Sequence, residues 1–598
     1  MDAILPMRMA PWFTTSGFAR IARGMMLAPV CRCVAMVLMG VAVMLASGTS
    51  VCAPARHAVA APPSTSAHDA VPADSTPDQR IIVHRNAGKD VDVLVSVGIP
   101  FPPGALRDTR LLRILDESGA EVPAAVHTTL LWYAKDGSVR AVRAQFHVHL
   151  AGDTQTFYFS IGKPRQRDLP GWPYANGLVP DVQGLKVAAA LATLSPVWLC
   201  NSLVAGPQFP APPNEAYANY VATQFQWAKP LPVNDPTAWL FDRPSTLFKA
   251  YIRTGRFDYL QAADLSYHFY MKYIRRDGLA MSPFCAGGWT YNDKPCDVKY
   301  VYVEPILLAL ALTGDDSEHD PATVDKMMTL WENGGWGNRP GPYTSPSQHF
   351  TERMTGLGLL ETVSAYELTG DRRYLERVND RIGWLYDHQR DNPDGLGNDG
   401  SWRNSWRLHE DDSWDPSKDV RGTSPWMTEN IVDGLWHAWL VTGDPRIPTM
   451  ITAFGRYLEQ YGWIKPDLLH YEHDWRNPCS GPDGQIAWYW SSSHADTKAL
   501  SHIEDSDGWY SDAHTVEIAL PVAAAYYFEK DPQQSAALKH RLDALTSSYN
   551  IDCAKSADPL RRFNWNNRGS GVVAWLIRQP PGSGAAAAPA AAATRVTP

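Results

Sequence analysis

Thr-Gly-Asp and close variants of it recur along this chain, and each copy closes one apolar-periodic run and opens another. The fullest copy is Tyr366-Glu367-Leu368-Thr369-Gly370-Asp371-Arg372-Arg373-Tyr374-Leu375; Thr254-Gly255-Arg256, Thr313-Gly314-Asp315 and Thr442-Gly443-Asp444 repeat it, and Glu529-Lys530-Asp531 is a degraded fifth copy. A glycine just past a helix end takes the left-handed conformation that stops the helix, and the Asp after it accepts from the free N–H groups of the next one. Copies roughly 55 to 90 residues apart predict a repeated helical hairpin plus loop. The body of the protein is therefore expected to be an (α/α) toroid of about five to six helical pairs.

The helix starts that precede these turns are rich in reactive side chains. Asp242 and Arg243 begin the first, Tyr300 and Glu304 the second. Gln348-His349-Phe350-Thr351-Glu352-Arg353 opens the third, Ser424 to Asn430 the fourth and Asp512 to Glu517 the fifth. His349 with Glu352 or Arg353, Trp426 with Glu429 or Asn430, and His514 with Glu517 are spaced to share a helix face. In a closed ring every second helix runs the same way, so these five starts are expected on one rim, where helix N-termini carry partial positive charge.

Long connections are expected on that rim, at 276–298, 332–347, 391–423 and 466–511, and loops of such length more often carry function than not. They hold Trp402, Trp406, Trp490 and Trp509 beside Arg403, Arg407, His409 and His494. Indoles stack on the apolar faces of sugar rings while charged neighbours bind hydroxyls and carboxylates. With Trp426 and Asn430, these residues are the expected substrate-binding set, and a polysaccharide or oligosaccharide is the expected partner.

The net charge of −9 argues against nucleic acid as a partner. Arg8, Arg20, Arg23 and Arg32 precede the apolar run Val34 to Ala46, which reads as a signal peptide within residues 1–52. As a helix that run covers about 20 Å, short of the roughly 30 Å needed to span a membrane. No stable membrane span is expected after cleavage, and a periplasmic or secreted protein is. Export leaves Cys200, Cys285, Cys296, Cys479 and Cys553 in the mature chain. Cys285 with Cys296 can staple one rim loop, although connectivity is not readable from sequence. No cofactor and no metal-finger spacing is indicated; Asp391 to Asp399 is acidic enough to consider a structural Ca²⁺ but departs from the EF-hand pattern at Pro393 and Gly395.

Along the chain, 53–79 reads as a disordered linker, 80–164 as short alternating strands, 165–240 as a Pro-rich irregular or β connector, 241–577 as the helical array and 578–598 as an Ala/Pro-rich tail. Within the β module, Ser96-Val97-Gly98-Ile99-Pro100-Phe101-Pro102-Pro103-Gly104, Leu115-Asp116-Glu117-Ser118-Gly119-Ala120-Glu121-Val122-Pro123 and Asp136-Gly137-Ser138-Val139-Arg140 resemble the N-terminal RIFT barrel of YetA-like proteins and exo-acting rhamnogalacturonan lyases. The resemblance implies a multidomain β + α protein, a RIFT-type barrel followed by an α/α toroid, and carbohydrate-active chemistry. The chain departs from those lyases in leaving no room after 577 for a C-terminal β-sandwich.

Two chemistries fit one toroid cleft. Elimination from a uronic acid needs a cation on the carboxylate, a base and an acid, roles open to Arg353 or Arg403, to His349 or His514, and to Tyr510. Hydrolysis needs two carboxyl groups around the scissile bond, for which Glu352, Glu429 and Glu517 are available. The expectation is elimination, with a glycoside hydrolase as the alternative and a non-catalytic glycan-binding envelope protein as a third reading.

Overall fold

A computed structural model describes residues 79–181, 184–229, 242–274, 298–317, 319–333, 350–406, 420–464, 487–507, 515–547, 549 and 559–585. The β module begins with β1 (Gln79–Arg85), β2 (Asp92–Pro100), β3 (Leu112–Leu115), β4 (Glu121–Val122), β5 (Ala125–Leu131), β6 (Val139–His149) and β7 (Thr154–Ile161). It continues through β8 (Leu178–Pro180), β9 (Lys186–Ala188) and β10 (Ala190–Leu194). Its strands pair antiparallel in a five-stranded sheet of order β10-β1-β7-β3-β4, a three-stranded sheet β2-β6-β5 and a two-stranded ribbon of β8 with β9. The module therefore reaches past residue 164, because Ala190–Leu194 lies in register along β1. Strand pairing among the described residues gives separate sheets and does not close a barrel.

The helices are α1 (Pro196–Asn201), α2 (Ala216–Ala228), α3 (Arg243–Thr254), α4 (Phe257–Ile274), α5 (Glu304–Leu312), α6 (Pro321–Trp331), α7 (Glu352–Thr369) and α8 (Arg372–Asp391). After the short strands β11 (Asn404–Ser405) and β12 (Arg421–Gly422) come α9 (Pro425–Thr442), α10 (Arg446–Tyr461), α11 (Thr497–Asp507), α12 (Ala519–Phe528), α13 (Pro532–Ser547), α14 (Pro559–Asn567) and α15 (Val573–Arg578). Helices α3, α5, α7, α9 and α12 pack in succession, and α12 returns to α3 through the stretch that holds α14 and α15. Helices α4, α8 and α13 lie outside this ring against their hairpin partners, α10 packs on α12 and α8, and α2 backs α14. The inner helices α5 and α12 are buried all round, whereas outer α8 and α10 carry one apolar stripe, as expected of the two layers.

The recurring turn has one geometry. In each of the four full copies the Thr hydroxyl (Thr254, Thr313, Thr369, Thr442) donates to the carbonyl four residues earlier, at 2.7 to 2.8 Å. The same oxygen accepts from the N–H two residues later, at 3.1 to 3.3 Å. The glycines sit at φ of 64 to 73°, where a side chain is strained. The Asp371 and Asp444 carboxylates then accept from the N–H groups of Arg373 and Arg446, each at 2.9 Å, and start the next helix. In the degraded copy Glu529 replaces the Thr, accepting from Asp531 N at 2.9 Å.

The four full turns meet the β module, which fixes the direction of their helices. A Cβ on Gly255 would lie 3.2 Å from the Leu194 carbonyl, one on Gly314 2.8 Å from Arg143 and one on Gly370 2.6 Å from Tyr133. The Lys135 ammonium donates to the Leu440 carbonyl at the end of α9, at 2.7 Å, a cation placed at a helix C-terminus. Arg140 pairs with Glu367 at 2.7 Å, and Arg143 with Asp316. This double duty explains why β6 is buried along nearly its whole length instead of on alternate residues: one face packs in the module and the other covers the ring.

Candidate active site

With their C-terminal ends on the β module, α3, α5, α7 and α9 turn their N-terminal ends to the opposite mouth. Cross-helix hydrogen bonds hold that end together. Glu352, the first residue of α7, accepts from the Thr423 hydroxyl at 2.6 Å and from Ser424 N at 2.8 Å, capping α9 from the neighbouring helix. Glu361, farther along α7, accepts from Val303 N and Glu304 N and caps α5 in the same way. Helices α7 and α9 approach so closely that a Cβ on Gly356 would sit 2.2 Å from the Asn430 carbonyl carbon. On α3, Asp242 caps Ser245 N at 3.1 Å from a left-handed backbone, φ 60°, a conformation that non-glycine residues occupy at a cost.

Behind these caps the ring axis is filled with ionisable groups. Lys249 of α3 pairs with Glu304 of α5 at 2.8 Å, and Arg568, just past α14, pairs with Asp433 of α9 at 2.9 Å. Arg568 also donates to the Asn430 side-chain amide oxygen at 3.1 Å. All of these side chains are buried. Burial pushes the Glu429 carboxyl up to about 8 despite the Arg568 cation, and the Asp433 charge adds to the rise. Burial acts on Asp433 in the same direction, but Arg568, Lys249 and His437 hold it below its ordinary value. Burial also raises Asp242 and Glu352, each to about 7, and lifts Glu361 far above the usual carboxylate range. Glu429, Asn430 and Asp433 share one helix face by spacing, so α9 carries a carboxyl held neutral one turn from a carboxylate held ionised.

An aromatic group stands at the same end. The Trp426 ring lies 6.1 Å from Tyr489 and 6.1 Å from Trp565, and half-buried Trp406 meets Trp490 at 5.4 Å. Trp490 itself is fully buried.

Of the seventeen residues singled out from sequence, the structure brings Glu352, Glu429, Asn430 and Trp426 together at the start of α9. Arg353 is half-buried beside Glu352, and Glu517 is buried in the turn before α12. His349, Arg407, His409, Trp509, Tyr510 and His514 lie outside the described residues, as do Cys285, Cys296, Cys479 and Cys553.

Three placements correct the expectation of a sugar-binding loop. Arg403 is fully buried, pairs with Asp394 at 2.9 Å and Asp399 at 2.8 Å, and so holds the 392–403 segment shut. Its guanidinium also neutralises the acidic stretch considered for Ca²⁺. Trp402 is fully buried with its indole N–H on the Leu385 carbonyl at 3.0 Å, and Trp490 presents no surface. His494 is exposed and bonds its neighbour Ser493 at 2.7 Å. Among the described residues no group of His, Cys, Asp or Glu is arranged to hold a metal ion, and no helix is long and apolar enough to cross a membrane.

Lys249, Glu361, Asp433 and Arg568 are absent from the residues chosen by sequence. For Lys249 and Asp433 the signal is a charge inside an apolar helical run, Thr246-Leu247-Phe248-Lys249-Ala250-Tyr251-Ile252 and Ile431-Val432-Asp433-Gly434-Leu435-Trp436, since unpaired charges are seldom buried; Arg568, past the end of α14, carries no such signal.

No protein-family model matches this chain, and no curated protein matches it. The RIFT-barrel resemblance therefore gains no support from those comparisons. A solved structure similar to it is a family 76 glycoside hydrolase from a bovine Bacteroides thetaiotaomicron strain, with 10% identity over 83% of this chain and 97% of that chain. Its TM-score of 0.33 is too low for the likeness to carry an argument.

Proposed function

We propose that the protein is an exported glycan-cleaving enzyme that acts by hydrolysis at the N-terminal mouth of its helical ring. The observation that carries this reading is the pair on α9: Glu429 kept protonated by burial and Asp433 kept ionised by Arg568. Two carboxyl groups whose surroundings drive their proton affinities apart are what acid-assisted glycoside cleavage requires. Glu429 is the acid that protonates the leaving oxygen, and Asp433 supplies the negative charge that favours the developing oxocarbenium ion. Half-buried Trp406 supplies aromatic surface for a sugar ring at the same end.

Hydrolysis is preferred to elimination because this end of the ring is furnished with buried carboxyl groups, Glu352, Glu429 and Asp433. The test is to incubate the purified protein with neutral and acidic polysaccharides, following reducing ends and ultraviolet absorbance together. Reducing ends without new absorbance support hydrolysis. Absorbance from an unsaturated uronate supports elimination, and neither across the panel leaves a glycan-binding protein.

A further inference from the structure

Arg568 belongs neither to the first four hairpins nor to the segments singled out for chemistry, yet it is the cation closest to the α9 carboxyl pair. It is brought there by α14 and anchored from outside the ring: Asn567 donates to the Gln224 side-chain amide oxygen of α2 at 2.7 Å, and Asn566 donates to the Tyr220 hydroxyl of the same helix. Gly569 then lies against the pair, where a Cβ would stand 2.5 Å from Glu429 Oε1 and 3.4 Å from the Asp433 carboxyl carbon. A side chain there would push against the Glu429 carboxyl. One nitrogen of Arg568, Nη2, reaches both Asp433 Oδ2 at 2.9 Å and the Asn430 side-chain oxygen at 3.1 Å, two residues within about one turn of Glu429 on α9.

We propose that Arg568 is a positioning residue of this centre, delivered by the C-terminal helix to clamp Asp433 and Asn430 and so assign different roles to Glu429 and Asp433. The proposal rests on the reading of this mouth as a reaction centre. The guanidinium stays charged when buried, so it holds a full positive charge against Asp433. The other ionisable groups around the pair are Lys249 of α3 (with Asp242 at its cap), Glu304 of α5, Glu361 of α7 and His437, which lies 3.6 Å from Asp433 on α9. Lys249 is committed to Glu304 and His437 stands farther off at 3.6 Å, so loss of Arg568 removes the nearest cation from Asp433.

The test is infrared titration of the protonated-carboxyl band, assigned by Glu429→Gln and Asp433→Asn, alongside the pH profile of glycan cleavage. The wild type should show the Glu429 band at neutral pH and none from Asp433. Arg568→Met should add a protonated Asp433 band, absent from the Arg568→Met/Asp433→Asn double variant, and move the acidic limb of activity to higher pH by at least about one pH unit. Arg568→Met with Asp433 still ionised and the limb unmoved overturns the proposal. Should Arg568→Met fail to fold, isosteric Asp433→Asn decides: the Glu429 titration moves to lower pH by about one pH unit, and an unmoved Glu429 overturns the proposal. If the infrared shifts occur in a protein that cleaves no glycan, the hydrolase reading falls and the clamp stands.

Discussion

Single side chains separate chemistry from scaffolding here. Glu429 is buried and held neutral, so Glu429→Gln replaces a protonated acid by a group of the same size and charge. Turnover should fall by about 10²- to 10⁴-fold, the contribution of general acid catalysis, with the unfolding midpoint nearly unchanged. A matching loss of stability would make Glu429 structural. Arg403 should behave in the opposite way. Arg403→Met strands Asp394 and Asp399 as buried carboxylates, and chemical denaturation should register a loss of about 3 to 5 kcal/mol. Sequence spacing found Glu429 and Asn430 because the i,i+3 or i,i+4 relation each has to Trp426 is a local property of one helix. It missed Lys249, Glu361, Asp433 and Arg568 because what makes a buried charge tolerable is a partner on another element, and here the partners come from α3, α5, α9 and the segment after α14.

At the level of elements, the Thr-Gly-Asp turns were legible because all their chemistry is local: a hydroxyl bonding i−4 and i+2, a glycine at positive φ and an Asp cap. The reach of the β module was not, since β10 joins β1 from more than a hundred residues away and a long-range register leaves no local mark. The crossing of α7 and α9 supplies a direct contrast. Gly356→Ala puts a methyl into the backbone of α9 and should cost about 1 to 3 kcal/mol as overpacking, with loss of activity as Glu352 is pulled from its cap on Ser424. Gly383→Ala in α8 meets only the Arg446 guanidinium, at 3.4 Å. It should leave activity intact and raise the unfolding free energy by up to about 1 kcal/mol through helix propensity.

At the scale of the whole fold, among the described residues, a ring of inner helices is covered at its C-terminal ends by β6, with a polar axis running toward its N-terminal ends. That axis makes stability depend on pH in a defined sense. Asp242, Glu352 and Glu429 are raised to about 7, 7 and 8 in the folded protein, so the stability linked to their protonation is complete below the unfolded carboxyl value near ~4 and is lost as pH rises through 7 to 8. The melting temperature should therefore fall between about pH 5.5 and 8.5, and Glu352→Gln should reduce that fall; a midpoint that rises over the same window contradicts the burial of these groups. The account as a whole is tested most directly by product analysis on a glycan panel with wild type and Glu429→Gln side by side. It predicts new reducing ends without unsaturated-uronate absorbance from the wild type and their near-complete loss in Glu429→Gln. Glycan cleavage that survives the substitution, or arrives with that absorbance, contradicts it.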